Sequence, residues 1–245
     1  MPPRWARFLT TMGFSRVEGR SVRAAFNFLP SCWTSPLNRI RVNRWGMDMD
    51  SGQVVAIPHS IRAEVSVANP REVRAYLLGA TRDATFNRLH RTLRFAQSDT
   101  RWLLVLKILL LRFGSRSWIY REGRRNVWVL ETTWRLPRDP QLATLGEKAA
   151  FVRGYFDSEG GVPRRPGSRF YIQLVQKDHL DLSKVRHFLE ELGIGCGTLH
   201  NPSRRVDPAY WRIYVLTASQ QDFIRIVGSW HPMKHALLEA RLASE

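Results

Sequence analysis

A chain of 245 residues with 44% hydrophobic residues and a net charge of +17 carries enough apolar side chain for a packed core, which excludes global disorder. The charge says nothing about fold, but it restricts the partners to polyanions, nucleic acid above all. Two distant cysteines, Cys32 and Cys196, exclude a disulfide framework and a cysteine-based zinc site and suit a reduced cytoplasmic protein.

Residues 1–46 hold eight Arg, one acid (Glu18) and four prolines. A basic arm, an organellar transit segment and a start upstream of the true one at Met47 or Met49 are the alternatives. Orderly patterning begins only at residue 70, so residues 1–69 are read as a basic, disordered or spurious leader. The 33 Arg against five Lys in the whole chain make Arg bias alone a weak signal.

From Pro70 the pattern predicts a helix through Asp83, with proline at its start. Strand-like ATFNRL and RTLRFAQ follow. A second helix has Ser98 or Asp99 as N-cap and Gly114 beyond its end. SWIYRE and NVWVLETTW then read as a strand pair. The longest apolar run, Leu103–Leu111, contains Lys107 and is too short to cross a bilayer.

The order then repeats. GEKAAFVRGYFDSEG is helical, RFYIQLVQ alternates with a two-residue period, and KDHLDLSKVRHFLEELG is a helix stopped at Gly193. TLHNPS and AYWRIYVLT read as strands, and two further helices end the chain. Gln97, Asp99 and Gly114 stand 79 residues before Gln176, Asp178 and Gly193, and Gly79 stands 75 before Gly154. The expected fold class is α+β, a pseudo-twofold duplication of αββαββ units over 70–140 and 141–245, folded as an internal dimer because there are only two copies.

A mid-helix glycine costs about 1 kcal/mol against alanine. Two at matched positions, Gly79 and Gly154, point to helix backbones in close approach across the pseudo-twofold. That would bring together Asp83 from one helix end and Asp157 and Glu159 from the other. A helix C-terminus already carries partial negative charge, so crowded carboxylates there make sense around a divalent cation. Hard oxygen ligands suit Mg²⁺ or Mn²⁺ shared with a phosphate. The histidines show no zinc-like spacing.

VRGYFDSEG, residues 152–160, resembles the nine-residue signature of the LAGLIDADG homing endonucleases, single-chain two-motif type. Gly154, Asp157 and Gly160 are in place, and Glu159 occupies the position of the family's metal-binding catalytic acid. The first copy, YLLGATRDATF, is a looser match. Asp83 lies four residues after Gly79, whereas Glu159 lies five after Gly154, and Ala84 holds the strictly aligned position. Either the first helix ends one residue sooner and brings Asp83 into place, or this half is degraded.

The resemblance covers residues 70 to about 240. It implies a saddle of LAGLIDADG type and a monomer that cuts both DNA strands with metal held by Asp83 and Glu159. It also implies polar helpers near the acids, for which Gln97, Gln176 and Lys177 are the candidates. Ser98 stands where Lys177 would repeat. Strand ribbons fit the major groove, which makes Arg88, Arg94, Arg169, Tyr171, Gln173, Tyr210, Arg212 and Tyr214 the candidate base-facing set. Arg121, Arg124, Arg125, Arg204 and Arg205 are candidate phosphate contacts. The rival reading on the same scaffold is a non-cleaving intron maturase or DNA- or RNA-binding protein.

Overall fold

The computed structural model describes residues 39–40 (backbone only), 57–124, 126–137, 141–165 and 167–244, all within the unit Leu37–Glu245. The expectations for the remaining residues of the leader, including Cys32, Met47 and Met49, lie outside the described residues, as does Arg125.

After a two-residue strand β1 (Arg39–Ile40) comes helix α1 (His59–Val67). The first repeat then runs α2 (Pro70–Ala80), a 3₁₀ turn (Thr81–Asp83), β2 (Thr85–Asn87), β3 (Thr92–Gln97), α3 (Thr100–Leu111), β4 (Ser117–Arg121) and β5 (Trp128–Thr132). The second runs α4 (Leu145–Glu159), β6 (Gly160–Gly161), β7 (Gln173–Gln176), α5 (His179–Glu191) and β8 (Trp211–Tyr214). A short α6 (Gln220–Asp222) passes into a π-helical turn (Phe223–Val227), and α7 (Pro232–Ala243) closes the described chain.

Both sheets are antiparallel, in the orders β1-β4-β5-β3-β2 and β6-β7-β8. In each, the second strand of its repeat lies next to the last. The Gln-x-Asp repeat now has a local cause. The Gln ends a strand, and the Asp two residues on caps the following helix: Asp99 accepts from Arg101 N at 2.9 Å and Asp178 from Leu180 N at 2.8 Å. Gly114 and Gly193, after those helices, have φ of +63° and +75°, a conformation that costs a side chain but not glycine. For α4 the sequence signal missed is Thr144, which with Glu147 forms a capping box.

Three expectations need correction. The leader was drawn to residue 69, yet α1 belongs to the folded body: Ile61 and Val65, four apart on one face, are buried. Arg112 bonds the Val65 and Ala68 carbonyls at 2.6 and 2.7 Å.

TLHNPS does not form a regular strand. Only Cys196 and His200 make bridges, to Val215 and Arg212. Gly193, Gly195 and Gly197 precede the segment and Pro202 lies within it, and neither residue type sustains a ladder. The bridged segment nonetheless lies on the free side of β8, as β4 lies beside β5, so the two repeats share one topology.

RFYIQLVQ yields strand only from Gln173, because its partner β6 is two residues long and Pro163 soon follows. Alternation still holds: Ile172 and Leu174 are fully buried, while Tyr171 is exposed.

The helices α2 and α4 form the spine. A Cβ placed on Gly79 would lie 2.1 Å from the Phe151 carbonyl oxygen, and one on Gly154 would lie 2.0 Å from that of Tyr76. Backbone therefore rests on backbone. Around this contact Tyr76, Leu77, Phe151, Tyr155 and Phe156 are buried, and the apolar sheet faces (Leu93, Phe95, Ile119, Leu130, Leu174, Ile213) complete the core. No helix among the described residues is long and apolar enough to cross a membrane.

Candidate functional site

Because α2 and α4 touch at their glycines, their C-terminal ends emerge together. The two ends terminate differently. The helix α4 stays α-helical through Glu159, whereas α2 stops at Ala80 and tightens into the 3₁₀ turn that ends in Asp83. A 3₁₀ turn uses fewer residues per revolution, which accounts for the one-residue offset between the copies. Ala84, at the strictly aligned position, is already extended.

Each carboxylate meets the glutamine at the end of the second strand in its own repeat. Gln97 Nε2 donates to Asp83 Oδ2 at 3.2 Å, and the Gln176 side chain, beside Glu159, draws the Glu159 pKa downward. The Gln176 carbonyl oxygen is fixed by Lys177 N at 2.7 Å, which leaves its amide to donate. The two acids also feel one another. Partial burial, then the Asp83 charge, pushes the Glu159 pKa up to about 7. Burial raises that of Asp83, against Lys234 and the Gln97 hydrogen bond. Among the described residues neither carboxylate has a salt-bridge partner. The Asp83 charge thus disfavours the charged form of Glu159.

Asp157 does not join them. It is buried and accepts from Tyr76 Oη at 2.7 Å, from Trp230 N at 2.9 Å and from the Ser229 hydroxyl. Trp102 Nε1 supports Tyr76 Oη at 2.9 Å. At two residues' separation on a helix, Asp157 and Glu159 face away from each other. Asp157 is therefore a core carboxylate that ties the helix pair to the 229–230 segment.

Lys177 is not brought to the acids either. It is exposed and its Nζ lies 3.7 Å from Asp207 Oδ2. The cation that acts on both is Lys234 of α7, which the sequence reading missed. Its Nζ binds the carbonyl oxygens of Phe156, Asp157 and Gly160 at 2.6, 2.8 and 2.7 Å. Burial pulls its pKa down to about 8, opposed by Asp157, Glu159 and Asp83. A signal was present: one of only five Lys in an Arg-rich chain, one helical turn before the buried Leu238.

Two carboxylates and two amides suit Mg²⁺ or Mn²⁺, which take one or two protein carboxylates and leave the other positions to water and phosphate. Among the described residues no cluster of three or more His, Cys, Asp or Glu is arranged to hold a metal ion.

The outward sheet faces differ between the repeats. On the second, Arg212 donates to Tyr214 Oη at 2.7 Å and to Tyr210 Oη at 3.3 Å. His200 stacks on Tyr214 at 5.7 Å and Tyr171 meets it edge-on at 5.9 Å. The guanidinium is fixed by neutral phenols and keeps its charge. Gln173, opposite Tyr214, lies on the same face, and Arg169, Arg204 and Arg205 are exposed nearby in sequence.

On the first sheet, Arg94 is paired with Glu122. Thr92, Asn87 and Tyr120 all donate to Glu131, the last two at 3.3 and 3.2 Å. These two acids dilute the positive face expected from Arg88 and Arg94, and strand alternation alone gave them no special role. Arg88, Arg121 and Arg124 are exposed at the ends of strands or in the β4–β5 turn.

Residues 146–228 match the family model of the LAGLIDADG-like domain. No curated protein matches the sequence. Among solved structures, the chain is similar to I-DmoI in complex with DNA and Mn, at 16% identity and a TM-score of 0.51, covering 65% of this chain and 98% of that one. It is also similar to the N-terminal LAGLIDADG domain of DUF199/WhiA, at 16% identity and a TM-score of 0.54, covering 71% and 96%. Full-length DUF199/WhiA from Thermatoga maritima matches at 15% identity and a TM-score of 0.53, covering 75% of this chain and 66% of that one.

Proposed function

We infer that this chain, which carries a LAGLIDADG-like domain and the LAGLIDADG fold, is a monomeric site-specific DNA endonuclease of the homing type that hydrolyses one phosphodiester on each strand. The observation that carries the reading is the matched pair of carboxylates, Asp83 and Glu159. Each stands at the end of a helix from a different repeat, and each has the equivalent glutamine as a neighbour that favours its charged form. A net charge of +17 and outward faces bearing Arg212, Gln173 and Tyr214 supply the attraction and the hydrogen-bonding edges for a duplex.

Each acid serves one scissile phosphate, so two acids on a pseudo-twofold axis suit two strands. When bound, the divalent ion supplies a more acidic water and neutralises charge on the phosphate. The chain's own part is to hold Asp83 and Glu159 at a fixed separation through the glycine contact. Gln97 and Gln176 orient the carboxylates and can place a water for attack. Lys177, 3.7 Å from Asp207, is assigned to backbone phosphate rather than to the chemistry.

The test is cleavage of a plasmid library carrying candidate target sites in Mg²⁺ or Mn²⁺. Asp83→Asn and Glu159→Gln should each reduce cutting of the corresponding strand by more than ~100-fold, since loss of even the outer partners of a metal site costs about 10–100-fold. Binding in chelator should be retained. Persistent cutting of both strands in both variants would falsify the assignment.

A second reading, a non-cleaving DNA- or RNA-binding protein, has one observation in its favour. Among the described residues neither Asp83 nor Glu159 has a lysine or arginine ion pair. Sequence-selective binding without cutting in any divalent ion selects it.

The faces themselves give a separate expectation. Arg212→Ala should weaken duplex binding by about 1–3 kcal/mol and relax preference at one base pair. Arg94→Ala should cost less, because Glu122 already neutralises that guanidinium. Competition binding at two salt concentrations distinguishes them.

A further inference from the structure

We propose that Lys234 is a positioning residue: by binding the last carbonyl oxygens of α4 from the C-terminal helix α7, it fixes the main chain from which Glu159 projects. The inference rests on the endonuclease reading for its functional consequence, but not for the contact itself.

A helix ends with carbonyls that lack partners inside the helix. At the end of α4 three carbonyl oxygens, those of Phe156, Asp157 and Gly160, converge on one ammonium at 2.6–2.8 Å. All three donor positions of the ammonium are thereby used. The three acceptors bracket Glu159 in sequence, so the carboxylate cannot shift along or off the helix without breaking at least one of them. At 7% exposure the lysine is shielded from water, which would otherwise compete for those oxygens. Its positive charge sits at the negative pole of the helix and is felt by Asp157, Glu159 and Asp83.

The anchor is itself anchored. Segment 229–230 grips the opposite side of the same helix end through Asp157. Trp230 Nε1 donates to Glu64 Oε2 at 2.8 Å, and His235 pairs with Ser60 Oγ at 3.0 Å. The C-terminal helix and α1 thus brace the end of α4. No comparable lysine contact is found at the end of α2 among the described residues, where the 3₁₀ turn satisfies its own groups, Ala84 N bonding Thr81 O at 3.1 Å. The main chain beneath the two acids is held by different means, and among the described residues the Lys234 anchor is found at the Glu159 end.

The test compares the full chain with Lys234→Met, which keeps length but not charge, and Lys234→Arg, which keeps charge. All are read well below their own melting points. Amide hydrogen exchange should accelerate at least tenfold over Asp157–Gly161 in Lys234→Met relative to the middle of α4, and be largely restored in Lys234→Arg. On supercoiled plasmid carrying the cleaved site, Lys234→Met should accumulate nicked circle, because the Asp83 centre survives. DNA affinity in chelator should stay within threefold of the parent.

Unchanged exchange in Lys234→Met overturns the proposal. So does accelerated exchange accompanied by equal slowing of both strands, which marks a general loss of stability. If the parent binds DNA but never cuts, accelerated exchange still upholds the anchoring, while the endonuclease reading falls on its own.

Discussion

Alanine at position 154 should cost about 3 kcal/mol or more of folding stability, the upper end of what overpacking a core costs. The intruding methyl would stand 2.0 Å from the Tyr76 carbonyl oxygen and 2.9 Å from Ala80 N. Both are main-chain atoms of a packed helix and have no rotamer by which to withdraw, so the helices must part. Alanine's better helix propensity returns about 1 kcal/mol at most and does not reverse the sign. Gly79→Ala meets the Phe151 carbonyl oxygen at 2.1 Å and should behave alike. Because either change already separates the pair, the double variant should lose clearly less than the sum of the two. Gly197→Ala is the control: its nearest neighbour is 3.7 Å away, and it should stay within about 0.5 kcal/mol of the parent. Urea denaturation followed by circular dichroism measures all four, and additive losses at 79 and 154 would show that the two glycines do not share one contact.

The second large effect concerns stability in the absence of metal. The Glu159 pKa stands at about 7 against an ordinary 4.5, chiefly because partial burial and then Asp83 disfavour its charge. Below pH 4.5 the group is protonated in both folded and unfolded chains and contributes nothing. Between 4.5 and 7 the unfolded chain releases its proton first, so stability falls as pH rises, and above 7 the penalty is complete.

Glu159→Gln removes it. The full shift corresponds to about 3 kcal/mol, which solvent at the half-exposed carboxylate reduces to about 1–2 kcal/mol. The metal-free variant should therefore melt above the parent at pH 8 and level with it at pH 4. Added Mg²⁺ or Mn²⁺ should raise the melting point of the parent more than that of the variant, which keeps only Asp83. A variant less stable than the parent at pH 8 would mean that the carboxylate is stabilised in the folded chain by a partner other than metal. A gain in stability on removing a residue proposed to serve cutting fits the general trade between function and stability.

Much of this was legible before any coordinates. Gly79 and Gly154 are residues that a helix interior does not favour, so their paired occurrence pointed to contact. The strand faces followed from alternation: Ile172, Leu174 and Ile213 are inside and Tyr171 is outside. What misled was local pattern without a partner. TLHNPS reads as a strand until one asks what glycines at 193, 195 and 197 leave for a ladder. Asp157 reads as a third acid at the axis until the helix turn carries it to Tyr76 and Ser229. The helix α1 gave a weak pattern because its apolar face has only Ile61 and Val65 as buried anchors.

By itself the sequence determined the duplication, the glycine contact and most of the order of elements, and it singled out Asp83 and Glu159 as candidate acids, since each depends on residue type at fixed spacing along one chain. Only the tertiary structure decided that a 3₁₀ turn brings Asp83 level with Glu159, that Glu122 and Glu131 occupy the first outward face, and that Lys234, 75 residues beyond Glu159, closes the end of α4. Those outcomes depend on which distant groups a buried carbonyl or carboxylate must find as partners, and a one-dimensional pattern does not carry that information.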